Sequence, residues 1–191
     1  MCSSDLRAAG SQPDLLRSGI LFAFNLVVFL RFLFTLFYFL QRKIPLEETI
    51  SVPMAFGLYL LGFPLLARST GLPVNLWEVS GILFFVTGSF FNSYSEYQRK
   101  QWKKDPQNRG KLFTGGLFGI SRHVNYFGDF LWVSGYAMVT RNIYSILIPL
   151  FLFPFFYFFN IPKLETYLQT RYSAEFDQYK KQTKSFIPFI L

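Results

Sequence analysis

The sequence predicts an all-α polytopic membrane bundle of about five membrane segments with an amphipathic cytoplasmic C-terminal tail. Three observations carry that prediction. Charged residues make up 16% of the 191-residue chain, against about 25% in soluble domains. The 26 phenylalanines exceed what one compact water-soluble core of this size needs. The apolar residues fall into blocks of roughly 15–22, long enough to cross a hydrocarbon layer about 30 Å thick. The pattern shows no strand-like alternation and no internal repeat, which leaves helices.

The first block, Ile20–Leu40, is interrupted by Asn25 and Arg31. The second, Ile50–Ala67, holds Pro53, Gly57, Gly62 and Pro64 and is expected to be kinked or partly re-entrant. The third covers Leu76–Tyr94, with Glu78 near its start read as a structural charge. The fourth, Tyr126–Thr140, is shorter, and the fifth runs from Ile143 to Ile161 across Pro149 and Pro154. Around them lie a basic loop, Glu96–Lys111, and a polar amphipathic tail, Lys163–Leu191. These segments read as a single membrane domain over residues 15–191, its cofactor-binding part about residues 88–191. Residues 1–14 read as a non-native or disordered leader, because Cys2 to Leu6 back-translates to a common sequencing-adapter end, and the chain as a fragment. The single cysteine excludes a disulfide framework and a Cys-rich metal site, and no metal is expected.

Orientation follows from lysine and arginine placement. With the basic loop inside, 14 of these residues share the cytoplasmic side, including Arg42 and Lys43 in the first loop and Lys180, Lys181 and Lys184 in the tail. Only Arg7, Arg17, Arg68 and Arg141 fall opposite, and Arg31 stays within the membrane. An intramembrane charge is a functional candidate, so Arg31 reads as a substrate-site or buried polar residue. The net charge of +8 suits a cytoplasmic membrane face and an anionic ligand. The expected partners are the bilayer and a lipophilic small molecule, not nucleic acid.

The polar chemistry is densest between Asn92 and Asp129. Asn92, Glu96, Arg99 and Lys103 are spaced four, three and four apart, a polar stripe within about 40° of one helical line. Arg122, Asn125, Tyr126 and Asp129 follow at i, i+3, i+4 and i+7, one face of a helix entering an apolar segment, with His123 beside them. Such a polar set at a membrane helix start is costly unless paired or filled by a ligand. Gly115, Gly116 and Gly119 lack the spacing of a dinucleotide fingerprint. In the tail, Tyr172, Phe176 and Tyr179 are expected on one helical face, packed on the membrane surface or folded back as a lid.

Gly116-Leu117-Phe118, Ser121-Arg122-His123, Asn125 to Asp129 and the closing Tyr179 to Pro188 resemble the steroid 5α-reductase C-terminal domain family, with its relatives the sterol reductases and isoprenylcysteine carboxyl methyltransferases. The likeness covers about Arg31 to Leu191. It implies an NADPH pocket open to the cytoplasm, held by Asn92, Glu96, Lys103, Asn125, Asp129 and Tyr172, with Arg99 and Tyr179 beside them. Arg122, His123 and Tyr126 belong to the motif in its sterol-reductase form. The activity implied is NADPH-dependent reduction of a carbon–carbon double bond in a lipophilic enone or enoyl substrate. The alternatives are a membrane methyltransferase using S-adenosylmethionine in the same pocket, and a truncated non-catalytic membrane protein. The chain departs from the family at Val124, where proline is common, and at Val28, where the steroid reductases place a catalytic Tyr. The catalytic residues stay unassigned, with Tyr126 and Asp129 as spatial candidates for the proton donor.

Overall fold

The structure, a computed structural model, describes residues 3–39, 46–67 and 73–190. Arg42, Lys43 and Arg68, which entered the charge count, lie outside these residues, as does Cys2. Every described element is helical. α1 (Ser3–Phe34) runs into a π turn over Thr35–Phe39. α2 (Leu46–Gly57) is joined by a π turn, Leu58–Gly62, to α3 (Phe63–Leu66). α4 is Leu76–Lys103 and α5 is Val124–Thr140. A 3₁₀ turn over Ile143–Ile146 leads into α6 (Leu147–Phe155), and a π turn over Phe156–Asn160 leads into α7 (Ile161–Gln182).

These elements make five helical stretches, at the places of the five predicted blocks, and the fold is all-α among the described residues. Two stretches, Leu15–Tyr38 and Ile143–Gln182, are long and apolar enough to cross a membrane, and Val52–Leu66 is a shorter apolar helix. Large apolar side chains are exposed along them, among them Phe22, Phe37, Leu65, Phe151 and Phe158. Such continuous apolar surface is a liability in water and an ordinary surface in lipid.

The expected kink in the second block takes a definite form. A proline clashes with the carbonyl four residues back and offers no N–H to it. Pro64 therefore disturbs the turn at Leu60, and Pro162 the turn at Phe158. Both carbonyls sit inside π turns, where the widened ring relieves the clash.

The chain divides into two compact units, with the boundaries falling inside α4, α5 and α6. The first comprises residues 1–85 and 133–149. Its core stacks Phe24 on Phe85 at 3.6 Å and Phe63 on Tyr136 at 4.4 Å. Asn25, which interrupted the first block, serves this core: Tyr136 Oη donates to its Oδ1 at 2.6 Å, and its Nδ2 donates to Leu60 O at 3.2 Å. Buried polar groups satisfied in this way lock one packing. Glu78, fully buried, accepts from Arg17 Nη2 at 3.3 Å, from Arg141 Nη2 at 3.0 Å, and from the Asn75 backbone N–H at 3.0 Å. Its structural reading agrees with this geometry. Arg31 also belongs to this unit, half-buried in α1.

The second unit comprises residues 86–132 and 150–191. Phe186, fully buried, is ringed by Phe127, Phe153 and Phe156 at 5.4–6.5 Å. Here α4 and α5 meet at Gly88 and Gly128, and a Cβ on Gly128 would lie 2.6 Å from Asn92 N and 2.7 Å from Gly88 O. Only the absence of both side chains permits this approach.

Candidate functional site

The close helix contact at Gly88 and Gly128 brings the two polar motifs into one network. Asn125 Nδ2, in the first turn of α5, donates to Glu96 Oε1 at 3.0 Å. Asn92 Nδ2 donates to Asn125 O at 3.2 Å, and Arg99 pairs with the second carboxylate oxygen of Glu96. The α4 stripe is helical as far as Lys103, so the predicted basic loop begins as helix, and Lys103 is exposed at its end. Asp129, one turn beyond Asn125, accepts from Trp132 Nε1 at 2.8 Å.

A second cluster forms where the chain turns into α5. Gly116 adopts φ 58°, and a Cβ there would meet the Gln98 amide, which accepts from the Leu117 N–H at 3.0 Å. Ser121-Arg122-His123 follow. The helix starts only at Val124, so Arg122 is not on the α5 face that the spacing predicted. Freed from the helix, its guanidinium grips the tail. Nε and Nη2 donate to Glu165 Oε1 at 3.0 and 2.8 Å, and Nη1 donates to the carbonyl of Thr183 and, at 3.4 Å, to that of Lys180. The backbone N–H groups of Arg122 and His123 donate to Lys184 O and Ser185 O at 2.9 and 3.0 Å, and Ser121 Oγ donates to Phe186 O at 2.8 Å.

His123 is buried, and its Nε2 lies 3.0 Å from Glu165 Oε1. Burial lowers its pKa from the usual 6.5, so the ring is neutral at pH 7. A carboxylate partner makes Nε2 the protonated nitrogen and leaves a lone pair on Nδ1. That Nδ1 has no hydrogen-bond partner among the described residues. Burial alone would push the Glu165 carboxyl up, but the His123 and Arg122 hydrogen bonds and charge hold it at about 2. With His123 neutral, Arg122 supplies the opposing charge. The Tyr126 ring stacks between His123, at 5.9 Å, and Phe156, at 4.8 Å.

Residues 31–183 match a family described as "Protein of unknown function (DUF1295)". The chain belongs to that family. Similar proteins are enzymes of two kinds. One is a "Probable O-methyltransferase" of Ustilaginoidea virens, 36% identical over 100 residues, or 52% of this chain and 35% of that protein. Another is rat 3-oxo-5-alpha-steroid 4-dehydrogenase 2, 30% identical over 110 residues, 58% and 41% of the two chains. A third is the protein-S-isoprenylcysteine O-methyltransferase of Schizosaccharomyces pombe, 28% identical over 121 residues, 61% and 51%. The chain thus spans about a third to a half of the length of these relatives. The expected kinship with the steroid 5α-reductases and isoprenylcysteine methyltransferases holds as a distant one, and the family itself is DUF1295.

In this family member the structure assembles Asn92, Glu96, Arg99 and Asn125 in one network, and Arg122 and His123 in another. Tyr179 is buried, donating to Phe118 O at 2.6 Å, and burial pushes its phenol pKa up. Tyr172 does not share its face. Ser173 breaks α7 with φ 39° and ψ −106°, so the expected single face of Tyr172, Phe176 and Tyr179 is interrupted, and Tyr172 lies half-buried under Arg171. The residue missed from the candidate set is Glu165. A signal existed: only Glu165, Glu175 and Asp177 follow Asp129 as acids, and a motif with Arg122 beside His123 needs a carboxylate partner.

Glu165→Ala should cost about 2 kcal/mol, the worth of charge-assisted hydrogen bonds partly screened by solvent. Hydrogen exchange of residues 180–186 should accelerate with it. The pH dependence has two steps. His123 has a lowered folded pKa, so its contribution is complete above about pH 6.5 and is lost as pH falls toward the folded value. Glu165 is also lowered, so its contribution is present above about 4.5 and is lost as pH falls toward 2. Exchange measured from pH 7.5 downward should show the tail loosening first below pH 6.5, and His123→Gln should remove that step. A tail equally protected at pH 5 and 7.5 would count against the cluster.

Proposed function

We propose that this protein is a membrane oxidoreductase that uses NADPH to reduce a carbon–carbon double bond in a lipophilic enone or enoyl substrate, steroid-like or lipid. The observation carrying the reading is the Asn125 to Glu96 hydrogen bond, which joins the α4 stripe to the α5 motif. The residues present fit a phosphorylated nucleotide. Glu96 offers a carboxylate acceptor for hydroxyl or amide groups, and Asn92 and Asn125 offer amides in the same network. Arg99 and the exposed Lys103 supply charge for phosphate. Buried polar atoms are seldom left unpaired, and the lone pair on His123 Nδ1 is a ready acceptor for a ligand N–H or O–H. Bound NADPH supplies the hydride. The chain's own residues orient it, and Tyr126 and Asp129 remain the candidates to hold the proton for the adjacent carbon.

Arg122 enters this reading differently from the expectation drawn from the motif. Its donors are engaged by Glu165 and the tail carbonyls, so it acts by fixing His123 and the tail rather than by gripping phosphate. On this reading the basic loop and tail face the cytoplasm, and the partners are the bilayer and its dissolved substrate. Arg17 and Arg141, which the charge rule assigns to the opposite side, both meet Glu78, which supports that sidedness.

A second reading, methyl transfer from S-adenosylmethionine, is favoured by the 36% identity to the probable O-methyltransferase. Parallel thermal shifts with NADPH, NADH and S-adenosylmethionine on the detergent-purified chain separate the two, because a ligand binding only the native state raises the melting point. NADPH should stabilise. Asn125→Ala should weaken its binding on the order of 10-fold, beside a loss of about 1 kcal/mol in the ligand-free protein for the missing bond to Glu96. Stabilisation by S-adenosylmethionine alone moves the protein to methyl transfer. No shift with any ligand leaves a non-catalytic membrane chain.

A further inference from the structure

The two long faces of α4 in the second unit carry different chemistry. Asn92, Glu96 and Arg99 form the site face, and Phe90, Tyr94 and Tyr97 sit two residues earlier, about 200° around the helix. This second face is open. Val86 is 58% exposed, Phe90 50%, and Tyr94 and Tyr97 41% each. Phe90 stacks on Tyr94 at 5.0 Å and Tyr94 on Tyr97 at 6.2 Å, so the three rings make one rigid ladder over successive turns.

The ladder runs into charge. The helix ends at Lys103 on the site face, Lys104 follows seven residues after Tyr97 and so in line with the ladder, and the loop beyond is folded back, with Asn108 Nδ2 donating to Trp102 O at 2.9 Å. That contact holds exposed Arg109 and Lys111 near the helix end. The acids nearby form no ion pair with these cations among the described residues, and the cations outnumber them. Asp105 accepts from the Gln107 N–H at 2.9 Å, and Glu175 accepts from the Leu112 N–H at 2.9 Å. From Phe90 to Lys103 the helix rises about 20 Å. Over that length the open face passes from apolar to amphipathic aromatic to cationic. That is the polarity profile of one bilayer leaflet from acyl chain through the carbonyl belt to phosphate.

We propose that this face, with Lys104, Arg109 and Lys111 at its foot, is a recognition surface for anionic phospholipid. The rings lie along the upper acyl chains with the tyrosine hydroxyls at the ester level, and the three cations meet the headgroup phosphates. The charge sign selects the occupant, since a zwitterionic headgroup offers no net charge to a surface where cations are in excess. The inference stands whichever cofactor occupies the site face.

The test titrates the purified full chain in detergent with phosphatidylglycerol and, separately, phosphatidylcholine, counting lipid adducts by native mass spectrometry. Each cation near an anionic surface contributes roughly 5-fold in affinity. The K104Q/R109Q/K111Q variant should therefore bind phosphatidylglycerol on the order of 100-fold more weakly, with phosphatidylcholine unchanged and the preference reduced in high salt. Lys104→Gln alone, a single exposed change, should lose roughly 5-fold and covers failure of the triple variant to fold. An undiminished phosphatidylglycerol preference in the variants overturns the proposal. Displacement of phosphatidylglycerol by inorganic pyrophosphate at equal concentration also overturns it, because the cations would then form a soluble-phosphate site.

Discussion

Gly128→Leu should leave no stably folded protein in detergent. A Cβ at this position would stand 2.6 Å from Asn92 N and 2.7 Å from Gly88 O, and a Cβ on Gly88 would stand 2.5 Å from Gly128 O. These are backbone atoms of two packed helices, so no rotamer change relieves the clash and the helices must separate. Overpacking commonly costs 1–3 kcal/mol where side chains can yield. Here the cost should exceed about 3 kcal/mol, a large part of a typical folding free energy. Gly128→Ala should show the same direction less severely. Gly57→Ala is the control: nothing lies within 4 Å of its Cβ, and removing a helical glycine is stabilising by up to about 1 kcal/mol. Thermal denaturation with size-exclusion chromatography reads all three. A Gly128→Ala protein melting with the wild type would disprove the close approach of α4 and α5. The same contact serves the site, because Asn92 N is the atom struck and Asn92 Nδ2 holds Asn125 O.

The sequence showed the segments well because their signal is compositional. Blocks of apolar residues mark helices wherever they later pack, and the α4 stripe was readable because Asn92, Glu96 and Arg99 lie on one uninterrupted helix. The readings that failed depended on where a helix begins or breaks. Arg122 has helical spacing to Asn125 and Asp129, yet its backbone N–H bonds to Lys184 O, sixty-two residues on, so it belongs to a strand-like stitch with the tail and not to α5. Nothing local announces that partner. Tyr172 and Tyr179 likewise share a face only if the helix is continuous, and Ser173, a residue with no steric licence for φ 39°, breaks it. Glu165 was overlooked for the same reason: its value lies in two partners more than forty residues away. Long-range polar pairings in a small helical protein are set by loops and tails, which periodicity does not describe.

Replacing Glu78 with alanine should destabilise the protein by about 3 kcal/mol or more, and should do so without weakening cofactor binding to the folded fraction. The carboxylate is fully buried, Arg17 is 2% exposed and Arg141 22% exposed, so its removal takes a shared acceptor from two guanidinium groups that have little water around them. Breaking a buried ion pair from one side costs 3–5 kcal/mol, largely the penalty of the charge left behind. Arg141 adds to this, since its φ of 55° is unfavourable for a side-chain-bearing residue and is sustained by the bonds it makes to Glu78. Glu78→Gln should fall between the two, keeping one acceptor oxygen while losing the charge. The informative comparison is the triple change Arg17→Met, Glu78→Leu, Arg141→Met, which removes these three charges together. Apolar replacement of a whole buried cluster is often neutral or stabilising, so this variant should recover most of what Glu78→Ala loses. Melting points of the four proteins, with NADPH titrations on each, decide the role. Recovery of stability with unchanged binding makes the cluster a packing device of the first unit. Stability recovered with binding lost would place Glu78 and its two arginines in the functional machinery instead.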